Sequence, residues 1–160
     1  MDGGSSFKDW VAINRLLMTY ASLCDEGRFA ELATMFEGAT YRVEHSGTDK
    51  VSEYRGSDEV LGFCEQTRIY DDGTPRTKHV VTNVDIRLDG DTATSSCYVT
   101  VFQQTDKLPL QPIASGRYVD AFRRIDGSWR FSDRLISGFL LGDRSHHVAW
   151  HGGTPEGSNS

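Results

Sequence analysis

Four long stretches in the second half of the chain place the strongest constraint on its fold. Each is rich in Val, Ile, Thr and aromatic residues, a composition that favours strands. They span residues 79–88, 92–104, 113–125 and 129–141. Asp89-Gly90 and Asp126-Gly127 are tight-turn signals between neighbouring stretches. Stretches of 10–13 residues are about twice the usual strand length, and strands that long twist and coil. The pattern predicts a curved antiparallel sheet.

The first half of the chain has helical periodicity instead. Apolar residues recur at three- and four-residue spacing, which predicts a helix over roughly 7–24 with a capping box at Ser6-Phe7-Lys8-Asp9. Gly27 would end it, and a short second helix would carry Phe29 to Phe36. The remaining predicted elements are strands at 39–44 and 51–55 and a third helix capped by Ser57.

Helices followed by long strands indicate an α+β fold rather than a parallel sheet. We expect a cone-shaped, curved antiparallel sheet in which the three helices of the N-terminal half close a hydrophobic pocket. Tyr20 would contribute to this pocket together with aromatic side chains that we assign to substrate binding. Those are Tyr41, Tyr54, Tyr98, Phe102 and Tyr118. The segment from Thr105 to Pro112 would form a rim.

The composition limits the possible partners and location. A chain of 160 residues fits a single domain, 1–160, with Gly/Ser-rich ends at 1–6 and 151–160 that we expect to be disordered. The net charge of −6 argues against nucleic-acid binding, and the absence of a long apolar run argues against a membrane span. The basic residues late in the chain are interleaved with strand hydrophobes and are interpreted as a solvated sheet face; they are Arg117, Arg123, Arg124, Arg130 and Arg134. The three cysteines are odd in number and far apart, which favours a reduced, cytoplasmic protein.

The sequence predicts no metal site and no cofactor. His45, His146, His147 and His151 lack a metal-site pattern, although the last two are four residues apart. The cysteines Cys24, Cys64 and Cys97 are interpreted as core thiols. No glycine-rich phosphate-binding motif occurs, so no nucleotide cofactor is implied.

Asp25 is the first residue that could carry chemistry. It follows the apolar run of the first helix, five residues after Tyr20, so the two side chains are not strictly on one helix face. A distorted helix end before Gly27 would aim both inward; the alternative is a solvated carboxylate. A negative charge at a helix C-terminus opposes the macrodipole, which mildly favours a specific role.

His79 begins a predicted strand, Thr77-Lys78-His79-Val80-Val81-Thr82-Asn83. Strict alternation places His79 and Val81 on the face opposite Val84, Ile86 and Leu88. His79 therefore faces the hollow only if that face is the concave one or if a bulge intervenes. A surface or hydrogen-bonded filler role is the alternative.

Several short blocks of the sequence resemble SnoaL-like proteins of the nuclear-transport-factor-2-like superfamily. The first are the helix 12–20, the following Asp25 and the segment 29–36. Further blocks are His79-Val80-Val81-Thr82-Asn83, residues 90–94, and residues 116–131 with their Asp126-Gly127-Ser128-Trp129 turn. The resemblance covers roughly residues 8–142 and implies the cone-shaped fold.

The resemblance also implies a set of catalytic residues. In dehydrochlorinase and dehydratase members, an Asp at the end of the first helix pairs with the His of a His-x-x-Thr-Asn block, and Asp25 and His79 match both. Tyr20 matches a tyrosine five residues before that Asp, and Arg134 matches an arginine shortly after the last-hairpin Trp. A histidine has an ordinary pKa near 6.5 and can accept a proton at neutral pH, while a bonded carboxylate fixes its tautomer.

From these residues we expect a cofactor-independent lyase, most simply a dehydratase acting on a hydrophobic cyclic hydroxy-ketone of steroid or polyketide type. His79 would take the proton, Tyr20 would donate to an oxygen, and Arg134 would stabilise negative charge. An isomerase or cyclase using the same pair is one alternative. A non-catalytic ligand binder or a dioxygenase small subunit is another. The expected assembly is a homodimer or homotrimer, formed through the outer face of the sheet.

Overall fold

The computed structural model describes residues 3–148 of the 160 and contains three helices and one six-stranded sheet. The helices are α1 (Gly3–Asp25), α2 (Phe29–Thr34) and α3 (Gly56–Cys64). The strands are β1 (Thr40–Glu44), β2 (Val51–Arg55), β3 (Thr77–Asp89), β4 (Thr92–Thr105), β5 (Leu108–Ile125) and β6 (Ser128–Leu141). The expected α+β fold is confirmed. Of the ends expected to be disordered, residues 1–2 and 151–160 lie outside the described residues, whereas residues 3–6 belong to α1.

The strands follow the order β2-β1-β6-β5-β4-β3. All neighbouring pairs are antiparallel except β1 with β6, which run parallel. The expected antiparallel sheet is therefore confirmed, with this one pair as the exception. Hairpins impose the antiparallel direction on β3 to β6, whereas β1 and β6 are far apart in sequence and no tight turn fixes their relative direction.

Several predicted element ends differ from the structure. α1 already includes Gly3 to Ser6, so Ser6 does not cap it; Asp9 instead accepts hydrogen bonds from Arg124 Nη2 at 2.8 Å and Trp129 Nε1 at 3.0 Å. In α3 the N-cap is Arg55 rather than Ser57. A carboxylate can thus serve a tertiary contact where its spacing alone suggests a cap.

The predicted rim between the second and third long strands is mostly strand. β4 continues to Thr105 and β5 resumes at Leu108, so only a two-residue turn separates them. Pro109 and Pro112 lie within β5, and the register shifts between Val101/Phe102 and Gln103/Thr105 in this region. Prolines are tolerated in strands at such irregular positions, which is why the turn signal was misleading.

The helices pack on one face of the sheet, with α1 lying mainly against β3 and α2 against α3. The core between them includes Ile13, Leu17, Leu32, Phe36 and Phe131. The cysteines are free; Cys64 and Cys97 are buried and Cys24 is half-buried. None of the helices within residues 3–148 is both long and apolar enough to cross a membrane.

The end of α1 is a Schellman motif that fixes the position of Asp25. Arg28 N donates to Leu23 O at 3.0 Å and Gly27 N donates to Cys24 O at 3.2 Å, with Gly27 at a φ of +68°. A Cβ at Gly27 would stand 2.7 Å from the carbonyl oxygen of Gly73. The last turn of α1 therefore packs closely against the loop that leads into β3.

Two β-bulges decide which side chains face the helices. In β3 the register shifts between Thr82 and Asp85, where Asn83 has a φ of 56°. Before the shift His79 and Val81 are the inward residues; after it they are Val84, Ile86 and Leu88. A second shift, between Ala121 and Phe122 of β5, leaves one extra residue in β6 and turns both Phe131 and Arg134 inward. Without the bulges, strict alternation would place His79 and Ile86 on opposite faces of the sheet, and likewise Phe131 and Arg134.

The first prediction concerns the bulge in β3. Asn83→Val is expected to destabilise the protein by about 1–2 kcal/mol, because a β-branched residue tolerates a positive φ poorly. Asn83→Gly, which accepts that conformation freely, is the matched control and is expected to leave stability nearly unchanged. Urea unfolding compares the two. Equal stability of the two variants would contradict a bulge strained at this position.

Candidate active site

Asp25 and His79 form a directly bonded pair. His79 Nδ1 lies 2.6 Å from Asp25 Oδ1, and the backbone N–H of His79 donates to Asp25 Oδ2 at 2.8 Å. Thr77 Oγ1 donates to Asp25 Oδ1 at 2.8 Å. Both side chains of the pair are 12% exposed. The carboxylate is thus held by three donors, all of which come from the first three residues of β3.

The charge state of Asp25 follows from these contacts. Burial raises the pKa of this carboxyl, but the hydrogen bonds from His79 and Thr77 and the His79 charge outweigh burial, so that the pKa lies below its ordinary value. An ionised carboxylate can only accept hydrogen bonds, and the His79 Nδ1 facing it must therefore carry the proton. In the neutral imidazole this leaves Nε2 with a free lone pair, as a general base requires.

Tyr20 lies one turn earlier on α1 and is bonded elsewhere. Its hydroxyl lies 2.7 Å from that of Tyr41, and both residues are almost completely buried. Burial raises the pKa of each well above the ordinary tyrosine value, so both hydroxyls stay protonated. The pair holds two hydroxyl hydrogens and uses one between its members, and Cys24 is a further hydrogen-bond neighbour of Tyr20.

Arg134 is a buried cation within this aromatic cluster. Its Nε and Nη2 donate to Asp120 Oδ1 and Oδ2 at 2.7 and 2.9 Å, and its side chain is 0% exposed. Its Cζ lies 4.1 Å from the ring centroids of both Tyr20 and Tyr118. Among the residues that the structure describes, Nη1 of Arg134 is buried without a hydrogen-bond partner. The interpretation of Arg134 as part of a solvated sheet face, together with Arg117, Arg123, Arg124 and Arg130, was wrong because the β6 bulge turns Arg134 inward.

The remaining predicted aromatic residues do not all face this interior. Tyr118 is buried in it, and Tyr54 is half-buried, with its ring 4.8 Å from that of Phe63. Tyr98 is 46% exposed on the opposite face of the sheet, where Arg117 stacks on it. The prediction that Tyr98 lines the hollow was therefore wrong, since β4 alternates regularly and Cys97 and Val99 take the inward positions.

An open cavity of about 430 Å³ adjoins the Asp25 side of the pair. Its lining combines the entrance to β3 with the end of β4 and the preceding loop. The lining residues are Asp25, Asp72, Thr74, Arg76, Thr77, Lys78, Phe102, Gln103, Gln104, Thr105, Asp106 and Leu110. Phe102, predicted to bind substrate, is one of two large apolar side chains among them. The lining is more polar than the sequence led us to expect.

Two residues of this region were missed as site candidates. Thr77 could have been found, because it lies two residues before His79 and a strand places such residues on one face. His147 was considered only as a metal ligand. Its backbone carbonyl accepts from Arg68 N in the loop before β3. Burial, together with the charges of His79 and Arg144, lowers the pKa of its imidazole to about 4, and Asp25 opposes that shift. Within residues 3–148, no group of three or more metal-ligating side chains comes together.

Comparison with known proteins places the chain in a family. The pattern of the SnoaL-like domain matches residues 5–135. No curated protein matches the chain. The fold is similar to that of an NTF2-like protein with a cystatin-like fold from Novosphingobium aromaticivorans (20% identity, 82% of each chain covered, TM-score 0.67).

Two further solved structures from the same organism are similar. One is a candidate scytalone dehydratase, with 20% identity, 99% of each chain covered and a TM-score of 0.66. The other is the beta subunit of a candidate aromatic-ring-hydroxylating dioxygenase, with 17% identity, 82% of this chain and 90% of that chain covered, and a TM-score of 0.67. At these identities the likeness establishes the fold, which is NTF2-like. The domain match over most of its length shows that the chain belongs to the SnoaL-like family.

Proposed function

We propose that the protein is a cofactor-independent lyase that dehydrates a cyclic hydroxy-ketone. The observation that carries the proposal is the bond between His79 Nδ1 and an ionised Asp25, which leaves His79 Nε2 free as a base. The SnoaL-like family includes dehydratases, isomerases and cyclases, and the similarity to a candidate scytalone dehydratase favours the first. The substrate class, hydrophobic and of steroid or polyketide type, is inferred from the family resemblance.

In the proposed reaction the substrate carries a hydroxyl on the carbon β to its carbonyl. His79 Nε2 takes the proton from the α-carbon, and the electron pair of that C–H bond develops into the enolate. The carbon–carbon double bond then forms as the β carbon–oxygen bond breaks. The leaving hydroxyl takes the proton from the His79 imidazolium and departs as water. The products are an enone and one water, and His79 returns to its neutral form.

The tyrosine pair has a limited role in this scheme. Because the pKa of Tyr20 and that of Tyr41 lie above the ordinary value, neither hydroxyl is a good proton donor in the sense of full transfer. A hydroxyl of this pair would instead stabilise the developing enolate oxygen by a hydrogen bond. We therefore assign the proton return to His79, which makes the elimination a syn process carried out by one base. The Arg134 guanidinium stacks on the rings of Tyr20 and Tyr118, and its Nη1 lacks a hydrogen-bond partner among the described residues.

The test of the function is product analysis. The purified chain is incubated with a panel of steroidal and bicyclic β-hydroxy ketones, and products are followed by enone absorbance and mass spectrometry. Loss of water with appearance of the enone supports a dehydratase. A product of unchanged mass indicates an isomerase, and ring closure indicates a cyclase using the same pair. No change with any substrate, by an enzyme whose fold is intact, counts against an enzyme of this class.

A second candidate is a non-catalytic subunit of a ring-hydroxylating dioxygenase. The similarity to a beta subunit of such an enzyme favours it, as does the close packing of Tyr20, Tyr41 and Tyr118, which a scaffold also tolerates. Stable co-purification with an iron-sulfur oxygenase chain would support this candidate. The bonded Asp25–His79 pair favours the enzyme, because a scaffold has no need of an oriented base.

We also propose that the chain forms a homodimer or homotrimer through the outer face of the sheet. Val80, Tyr98 and Val119 are large apolar side chains exposed on three neighbouring strands of that face. Light scattering after size exclusion is expected to give two or three times the 17.9 kDa of the chain. Tyr98→Glu, which places a charge in this patch, is expected to shift the protein towards the monomer. A monomeric wild-type protein would contradict the proposal.

A further inference from the structure

The segment Asp143–Val148, after β6, is hydrogen-bonded to the connection between α3 and β3. Val148 forms an isolated antiparallel bridge with Thr67, and Arg68 N donates to His147 O at 2.8 Å. Tyr70 Oη donates to His146 O at 2.6 Å. These bonds join the segment to the connection between α3 and β3, so the position of His147 is set by backbone contacts rather than by its own side chain.

A second set of contacts connects this segment with the Asp25 carboxylate. Gln103 Nε2 donates to His146 O at 3.2 Å, and Gln103 stands opposite Thr77 in the β3–β4 register. Thr77 in turn donates to Asp25. Gln103 and Thr77, which are register partners in β3 and β4, therefore hold both the segment Asp143–Val148 and the Asp25 carboxylate.

Two buried polar atoms in this region lack partners among the described residues. They are Gln103 Oε1 and His147 Nδ1. Buried polar atoms in folded proteins are nearly always hydrogen-bonded, so each of these two atoms calls for a partner such as a water or a ligand group. Gln103 Oε1 can only accept, whereas His147 Nδ1 can donate or accept according to its tautomer.

We propose that His147 is a second histidine of the active site, whose neutral imidazole hydrogen-bonds an oxygen of the bound ligand through Nδ1. This inference rests on the proposed function and deepens it, because it assigns a residue that selects ligands with a hydroxyl or carbonyl oxygen at the rim. The ligand oxygen would be the one that faces the segment Asp143–Val148 when the reacting carbon faces His79.

The charges around His147 fit this role. Its ring is influenced by His79 from β3, by Asp25 from α1 and by Arg144 from its own segment. Burial has the largest effect and lowers the pKa to about 4, with His79 and Arg144 acting in the same direction. His147 is therefore neutral near neutral pH, and it adds no positive charge that would oppose the formation of the His79 imidazolium.

The test uses 2-naphthol, a bicyclic hydroxyl compound that resembles a cyclic enol, as the probe. Imidazole ¹⁵N resonances of the wild-type chain are recorded during a 2-naphthol titration near neutral pH. A shift of the His147 Nδ1 resonance on binding is expected. His147→Phe is expected to weaken 2-naphthol binding about tenfold, equivalent to about 1.4 kcal/mol. His147→Gln, which retains hydrogen-bonding atoms at neutral charge, should lose less.

The matched control is His146→Ala. It removes the neighbouring imidazole but keeps the backbone carbonyl that Tyr70 and Gln103 bind, and it should leave 2-naphthol binding unchanged. An unchanged His147 Nδ1 resonance during the 2-naphthol titration overturns the inference, whether or not the His79 resonance shifts. Weakening of 2-naphthol binding by His146→Ala to the same extent as by His147→Phe also overturns it. A His147 response without turnover of any hydroxy-ketone would instead retain this ligand contact and remove the proposed function.

Discussion

Replacing His79 by glutamine is expected to lower kcat for hydroxy-ketone dehydration by about 10²–10⁴-fold, the usual contribution of a positioned general base. Glutamine keeps a polar side chain of similar length but accepts no proton at neutral pH. KM should change little, since the glutamine can still hydrogen-bond the ligand. Initial rates at saturating substrate measure the effect.

Asp25→Asn is expected to lower kcat to a comparable extent for a different reason. An asparagine amide can donate to His79 Nδ1, which then acts as an acceptor and moves the ring proton to Nε2, where the base is needed. Asn also offers one acceptor oxygen in place of the two that now receive Thr77 and His79. Thr77→Ser, which keeps the donating hydroxyl, and His45→Gln, at an exposed histidine bonded to Ser52, are the controls. Full activity of either Asp25→Asn or His79→Gln would contradict the mechanism.

The second large effect concerns stability. Asp120→Leu is expected to destabilise the protein by about 3–5 kcal/mol, because it leaves the fully buried Arg134 guanidinium without its counter-ion. Adding Arg134→Met to this variant is expected to recover much of the loss, since a buried ion pair exchanged for apolar side chains often costs little. Urea unfolding of both variants measures the difference.

An exposed ion pair provides the contrast. Arg87 and Asp85 are 3.2 Å apart with most of each side chain in solvent, and Asp85→Ala should scarcely alter the unfolding midpoint. If Asp120→Leu were as mild as Asp85→Ala, or if the double variant were the less stable of the two, Arg134 would not be the buried, compensated cation described here.

The sequence contains the order of the elements because helix and strand periods differ and the turns carry Asp-Gly. It does not show which side chains of the long strands face the helices. A single extra residue reverses every later side chain, and nothing in the alternation of Val81 to Leu88 marks Asn83 as that residue. The same limit explains why Arg134 could be matched to a family arginine yet also be counted on the solvated face.

The candidate site was predictable in part. Asp25 and His79 were identified from a family pattern, and the pairing of their side chains required tertiary structure. His147 could not be found, because its contact with this region arises from an irregular segment after the last strand, where neither period nor turn chemistry applies. Tyr98 was wrongly assigned to the pocket for a related reason. Its aromatic character suggested burial, but the sequence does not show which face of β4 it occupies.

Proton abstraction by His79 can be tested without the natural leaving group. The α-protons of 2-tetralone, a bicyclic ketone, exchange with deuterium in D₂O, and ¹H NMR follows the loss of their signal with the uncatalysed rate subtracted. The wild-type chain is expected to accelerate this exchange, whereas His79→Gln, folded to the same extent by circular dichroism, is not. Equal exchange rates with the two proteins would contradict the assignment of His79 as the base.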